Sequence, residues 1–241
     1  MKSVIRRNIL RTLHLINERL VLSWKIGKGV ADVDFSSFGS KKASDISDHL
    51  HLLNLLTHLI GPKVIVELGT RGGESTRVFV RYVNQNQCEG IGVDLSPKPN
   101  WMKRSDRWKH FVSDDCILGE TLSVSGHWPD GKQLRPIDLL FIDTSHEYSH
   151  TVRELDIWHP LVRKSGWIIF HDTNLSKEPS RRLSGGINYG WNNSRGVTRA
   201  IEEHFKIQIE EKRFFSSDLN GLASFIFHVP WNNGLTAIRI K

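Results

Sequence analysis

Residues 63–75 read Lys63-Val64-Ile65-Val66-Glu67-Leu68-Gly69-Thr70-Arg71-Gly72-Gly73-Glu74-Ser75, and this stretch decides the fold. Its first half is a short apolar run with the length of a buried strand. The glycines that follow permit a sharp turn and let a ligand approach the main chain. Ser75 opens a stretch predicted as helix over about 74–84, whose free N–H groups favour a polar or anionic group. Strand, glycine turn and helix in that order begin an α/β unit. The spacing is neither G-x-G-x-x-G nor G-x-x-x-x-G-K-[ST], so both common phosphate-binding loops are disfavoured.

Downstream the alternation continues. Short apolar runs at 90–94, 109–113, 137–143 and 166–171 are expected as strands. Helices are expected at about 147–163, with a short one after Asp115, and near Val197. This pattern predicts an α/β, Rossmann-like doubly wound sheet that is mostly parallel. Residues 206–215 and 221–229 read as an antiparallel hairpin that ends it, and 119–136 as an insertion.

Upstream, Ser44 is placed to cap a helix running to about Ile60, with Asp45 and Asp48 in its first turns. Ile5, Ile9, Leu13, Ile16 and Leu20 fall on one face of an amphipathic helix within residues 1–26, and 27–44 read as a linker. The expected division is a helical extension, 1–44, and a domain, 45–241. Packing of that helix on a second copy makes a homo-oligomer the expectation. Peripheral membrane contact is the other use of a basic amphipathic helix.

The chain has 241 residues, of which 33 are Lys or Arg and 26 Asp or Glu, for a net charge of +7. Two cysteines, Cys88 and Cys116, exclude a disulfide scaffold and a four-thiolate zinc site. No run approaches the roughly 18 apolar residues of a membrane span, and the charged N-terminus lacks a signal-peptide core. A cytoplasmic location is the expectation. The positive charge permits an anionic partner, but no zinc finger or aromatic-basic RNA-binding strand accompanies it, so no nucleic acid is expected.

Carboxylates close the successive strands. Asp94 ends the second, where it can accept bonds from both hydroxyls of a ribose. Asp115 follows the third and could reach an adenine amino group. The fourth runs into Asp143 and His146, and the fifth ends in His171-Asp172. Neighbouring strands lie about 4.8 Å apart, so Asp143, His171 and Asp172 can converge on one hard divalent ion, Mg²⁺ or Mn²⁺. Such an ion lowers the pKa of a bound hydroxyl.

With these residues the chain resembles the class I S-adenosylmethionine-dependent methyltransferases. Their E/D-x-G-x-x-x-G-x-S motif is matched by Glu67, Gly69, Gly73 and Ser75. The resemblance implies that Glu67, Gly69, Thr70, Gly73 and Ser75 serve the cofactor, with Asp94 at its ribose and Asp115 at its adenine. Asp143-x-x-His146-x-Tyr148 with a later acidic pair is similar to the metal-dependent O-methyltransferases of macrolide and aminocoumarin sugars. It is more distantly similar to the caffeoyl-CoA and catechol O-methyltransferases. That likeness implies Asp143, His171 and Asp172 as metal ligands, His146 as general base, and a sugar or related small molecule as acceptor. His171 stands where the sugar enzymes carry an acidic residue, a departure that admits Mn²⁺, Fe²⁺ or no metal.

Other readings compete. His146-Glu147-Tyr148-Ser149-His150 spells H-E-x-x-H, the zinc-peptidase motif, but it starts directly off a strand instead of lying inside a long helix. The fold also supports a non-catalytic nucleotide- or partner-binding module, and cephalosporin-hydroxylase-like enzymes share the domain pattern. The Arg-rich loop 174–195 reads as a lid, with Arg181, Arg182 and Arg195 for an acidic group and Tyr189 and Trp191 as platforms. Trp101 reads either as a flank of the adenine or as ordinary packing.

Overall fold

Alternating apolar and glycine-bearing segments assemble into one eight-stranded sheet. The computed structural model describes residues 44, 46–102, 107–175, 180–181, 187–188 and 193–241. The helix expected in 1–26 and the linker after it lie outside the described residues. So do Arg182, Tyr189, Trp191 and the side chain of Arg181.

In chain order the elements are α1 (Leu50–Ile60), β1 (Val64–Leu68), α2 (Glu74–Asn86), β2 (Glu89–Asp94), β3 (Trp108–Val112) and α3 (Asp115–Ser125). Next come β4 (Ile137–Ile142), α4 (Tyr148–Trp158), β5 (Val162–His171), a small ladder of β6 (Ser180–Arg181) and β7 (Ile187–Asn188), and α5 (Gly196–Phe205). Three strands close the chain: β8 (Phe215–Asp218), β9 (Ala223–Val229) and β10 (Leu235–Ile240). The strand order is β3-β2-β1-β4-β5-β10-β9-β8. The first five run parallel, and β10 pairs antiparallel with both β5 and β9.

Every residue of β1 and β4 is buried, as a central strand with helices on both faces requires. Period-two alternation divides them. Val64, Val66, Leu68, Leu140 and Ile142 face α3, α4 and α5, where Leu122, Leu155, Trp158 and Ile201 complete the core. Phe141, on the other face, meets Phe79 of α2. Full burial of such side chains stabilises by about 1.5–3 kcal/mol each. Among the described residues no helix is long and apolar enough to cross a membrane.

The structure refines several expectations. The helix before β5 stops at Trp158, because His159-Pro160-Leu161 tightens into a 3₁₀ turn and β5 begins at Val162. Residues 119–136 continue α3 and then return to the core: Asp114 caps α3 through Ile117 N, Gly126 ends it in a left-handed conformation, and Trp128 is buried. Residues 206–214 form no strand; Ile207 and Ile209 donate backbone bonds to Glu202 of α5 instead. The strand inserted into the sheet is β10, beyond the expected hairpin. Ser44 bonds with Ser47 ahead of a 3₁₀ turn, Ser47–His49, so the α-helix starts only at Leu50.

Candidate active site

Both β2 and β4 neighbour β1, so the chain changes direction across the sheet there. The crevice at the carboxyl ends of such strands is where ligands of open α/β sheets bind. The loop after β1 and the loop after β4 meet in it. Asp143 N donates to Leu68 O at 2.9 Å, and Gly69 N to Val93 O at 2.9 Å.

Gly69 has φ 84°, and a Cβ on it would stand 2.0 Å from the Asp143 carbonyl oxygen. Gly73, at φ 80°, has Trp101 and Pro99 where a Cβ would point. Trp101 Nε1 donates to Gly72 O at 3.1 Å, and the Arg77 guanidinium stacks on its ring. The glycines therefore first let the loop close on Asp143 and seat Trp101.

Glu67 is fully buried and accepts from Ser75 Oγ and Thr76 Oγ, each at 2.6 Å. Burial pushes its pKa up to about 8 against the pull of those hydroxyls. Glu67 and Ser75 thus pin the start of α2 to β1. Asp94 is the loop's other anchor. Its Oδ2 accepts from Thr70 N and Arg71 N at 2.7 and 2.8 Å, and its Oδ1 from Ser96 N at 2.7 Å. Burial opposes its ionisation, but the N–H groups of Arg71, Ser96 and Thr70 prevail and hold its pKa below the ordinary value.

Asp115 is the first residue of α3 and faces inward. Its carboxylate lies 3.2 Å from His150 Nε2 and against the buried Glu154 carboxyl. Glu154 accepts from Thr144 Oγ1 at 2.7 Å. Burial and then the Asp115 carboxylate push the Glu154 pKa well above its ordinary value. An adenine contact from Asp115 would require its carboxylate to turn from these partners.

Beyond Gly69 lies a cluster of two carboxylates and three imidazoles. His146 Nε2 is 2.7 Å from Asp172 Oδ2 and 3.4 Å from Asp143 Oδ1. His171 Nδ1 is 3.0 Å from Asp172 Oδ2 and 3.3 Å from Asp143 Oδ1. His171 Nε2 faces His49 Nδ1 at 3.0 Å, and His49 Nε2 faces the Trp231 carbonyl at 2.9 Å.

That carbonyl sets the protons. It can only accept, so His49 carries its hydrogen on Nε2 and offers a lone pair at Nδ1. Burial, reinforced by His171, drives the His49 pKa down to about 3, which keeps it neutral. His171 must therefore donate from Nε2 to His49 and from Nδ1 to the carboxylates. Burial resists the resulting charge, yet Asp172 and Asp143 raise the His171 pKa well above its ordinary value. His171 thus bridges His49 and the two carboxylates, next to the group of ligand atoms formed by Asp143, His146 and Asp172.

His146 is also charged: burial disfavours its proton, but Asp143 and Asp172 raise its pKa to about 9. Both His146 (φ 62°) and Asp172 (φ 57°) adopt the left-handed backbone that non-glycine residues occupy only at a cost of about 1–3 kcal/mol. Asn193 holds the first of these turns through His146 O at 2.9 Å, and Gly196 packs where a Cβ would strike that oxygen.

Ligand atoms of Asp143, His146 and Asp172 lie within 4.8 Å of one another, and buried Asp172 Oδ1 has no hydrogen-bond partner among the described residues. The set fits a divalent ion. The H-E-x-x-H motif, in contrast, is divided. His146 precedes the helix and serves this cluster, whereas His150 inside α4 serves Asp115. Arg195, expected at the substrate, is bonded to Glu202 and Glu211. His49, Asn193 and Trp231 were not anticipated; the only signal was a histidine on the buried face of an apolar helix, Leu50–Ile60, at its start.

Residues 66–173 match the family model of a methyltransferase domain. Over 138 residues the chain is 25% identical to the uncharacterized protein R132 of Acanthamoeba polyphaga mimivirus, covering 52% of this chain and 58% of that one. It thus spans a little over half the length of this curated relative. In structure it is similar to an O-methyltransferase from Bacillus cereus in complex with SAH, with TM-score 0.52, 16% identity and 86% of each chain covered. It is likewise similar to cofactor-bound Rv0187 from MTB, with TM-score 0.53, 17% identity and 86% and 85% covered. These likenesses show the fold, and the family match lies over the strands that build the crevice. A methyltransferase-domain model thus matches the segment from β1 to the end of β5, and the whole sheet has the fold of these methyltransferase structures.

Proposed function

We propose that the protein moves the methyl group of S-adenosylmethionine to a hydroxyl oxygen of a sugar or related small molecule. One observation carries the reading: the glycine loop that the fold uses for the methyl donor is in backbone contact with Asp143. Donor loop and acid–base cluster thereby share one crevice.

Asp94 and the main chain of Gly69–Gly73 would receive the adenosyl and methionine parts. Asp143 and Asp172, with His146 within reach, would hold Mg²⁺ or Mn²⁺, which when bound lowers the pKa of an acceptor hydroxyl. His146 as found carries a proton and cannot accept another. With their charge shared with a bound cation, Asp143 and Asp172 would hold that proton less tightly, and the His146 imidazole would then serve as general base for the hydroxyl. The transfer is an in-line displacement at a sulfonium methyl whose leaving group is a neutral thioether, so alignment is the remaining requirement. The sugar acceptor is supported by the Asp143-x-x-His146-x-Tyr148 pattern.

Calorimetric titration of EDTA-treated protein with S-adenosylhomocysteine tests the donor site. Micromolar binding, weakened at least tenfold by Asp94→Ala, is expected. Methyl transfer to a panel of sugars, stimulated by Mg²⁺ or Mn²⁺, tests the acceptor side. Absence of binding under every condition would end the reading.

A further inference from the structure

A second group of metal-ligating side chains lies outside the Asp143 cluster. Asp115 and Cys116, the first two residues of α3, meet His150 of α4, and their ligand atoms all lie within 4.8 Å of one another. Cys116 is fully buried and Asp115 nearly so. Glu154, one turn beyond His150, brings a fourth group with no exposure, its Oε1 3.6 Å from His150 Nε2. Glu154 Oε2 is buried without a hydrogen-bond partner among the described residues, and its carboxyl lies against that of Asp115. Two buried carboxylates in contact require a proton or a cation between them.

The spacing suits a cation as well as it suits hydrogen bonds. With metal–ligand distances of about 2.0–2.3 Å, the edges of a coordination tetrahedron are roughly 3.3–3.7 Å. The separations of His150 Nε2 from Asp115, 3.2 Å, and from Glu154, 3.6 Å, fall at that length. Thiolate and imidazole together select a borderline transition metal over Mg²⁺ or Ca²⁺. Thr144 Oγ1, on Glu154 Oε1, supplies an outer partner of the kind that orients ligands.

We propose that Asp115, Cys116, His150 and Glu154 form a tetrahedral site for a divalent transition metal of the Zn²⁺ class, joining α3 to α4. It is separate from the Asp143–His146–Asp172 group, and it gives Asp115 a role other than adenine contact. Binding exchanges protons for the ion. Cys116 and Glu154 deprotonate, His150 gives up any proton on Nε2, and no redox step is involved.

The test is Co²⁺ titration of the full-length, EDTA-treated protein under reducing conditions, followed by displacement with Zn²⁺. One equivalent of Co²⁺ should produce a thiolate-to-cobalt charge-transfer band with the visible absorption of tetrahedral cobalt. The Asp143 group contains no sulfur and gives no such band. Cys116→Ser should abolish the band, His150→Ala should weaken Co²⁺ at least tenfold, and Cys88→Ser should change neither. If Cys116→Ser does not fold, X-ray absorption on the zinc-loaded wild type reads the same point, with one sulfur ligand expected. No band in the wild type, a band that survives Cys116→Ser, or a zinc shell without sulfur would overturn the site and show that Glu154 is simply protonated against Asp115.

Discussion

Gly69 lies so close to Asp143 that a Cβ built on it would stand 2.0 Å from the Asp143 carbonyl oxygen. Two loops from neighbouring strands are thereby held in van der Waals contact, and one missing side chain permits it. Gly69→Ala is expected to incur the left-handed backbone penalty, about 1–3 kcal/mol, plus displacement of the Asp143 loop. Chemical denaturation should show the loss. Calorimetry should show S-adenosylhomocysteine binding weakened in the same variant, because the loop and Asp143 move together.

The ion pairs of His146 make a pH-dependent contribution to stability. Its pKa rises from 6.5 to about 9 on folding, so the stabilisation is complete below pH 6.5 and is lost as pH climbs through about 9. The amount is on the order of 3 kcal/mol. Thermal unfolding of the wild type should fall between pH 7 and 10, and His146→Gln should flatten that part of the curve. Without added metal, methyl transfer should quicken over the same range as His146 loses its proton. A rate independent of pH there would remove His146 as the base.

Glu67 behaves in the opposite way. Its carboxyl is protonated in the fold up to about pH 8 but ionises at 4.5 when exposed. Between those values the native state binds the extra proton, so stability declines as pH rises, by on the order of 5 kcal/mol in all. Glu67→Gln retains an oxygen for the hydroxyls of Ser75 and Thr76. It should match or exceed the wild type in urea denaturation at pH 8 and lack this decline. A wild-type curve already flat from pH 5 to 8 would contradict the assignment.

His49→Ala should cost about 2–4 kcal/mol, because it strands the buried His171 Nε2 donor and the Trp231 carbonyl and leaves a cavity. Urea unfolding measures it. A variant as stable as the wild type would show that this hydrogen-bond chain contributes nothing to the fold.

The crevice was legible because its markers are local. Gly69, Asp94, Asp143 and Asp172 each follow a short apolar run, and strand ends in an alternating pattern must share one edge. Residues 137–143 and 166–171 were readable as strands for the same reason. What escaped depends on long-range choices. Leu235–Ile240 is given no element by its sequence, since nothing within six residues shows that a strand will be drawn between β5 and β9. Lys206–Phe214 has strand-like alternation but finds its bonds on α5, which only the packed structure offers. His171 was correctly placed near the two aspartates, yet its protons are set by Trp231, 60 residues later, acting through His49.

The position of β10 also governs when the crevice can be completed during translation. Its pairing with β5 seats Leu235 beside His171, and the preceding loop brings the Trp231 carbonyl to His49. A ribosome releases these residues after every other part of the crevice. Until residue 240 emerges, β5 ends the parallel half of the sheet with an unpaired edge, the kind of surface that nascent chains must keep from one another. Chaperone dependence should therefore be greatest in that interval.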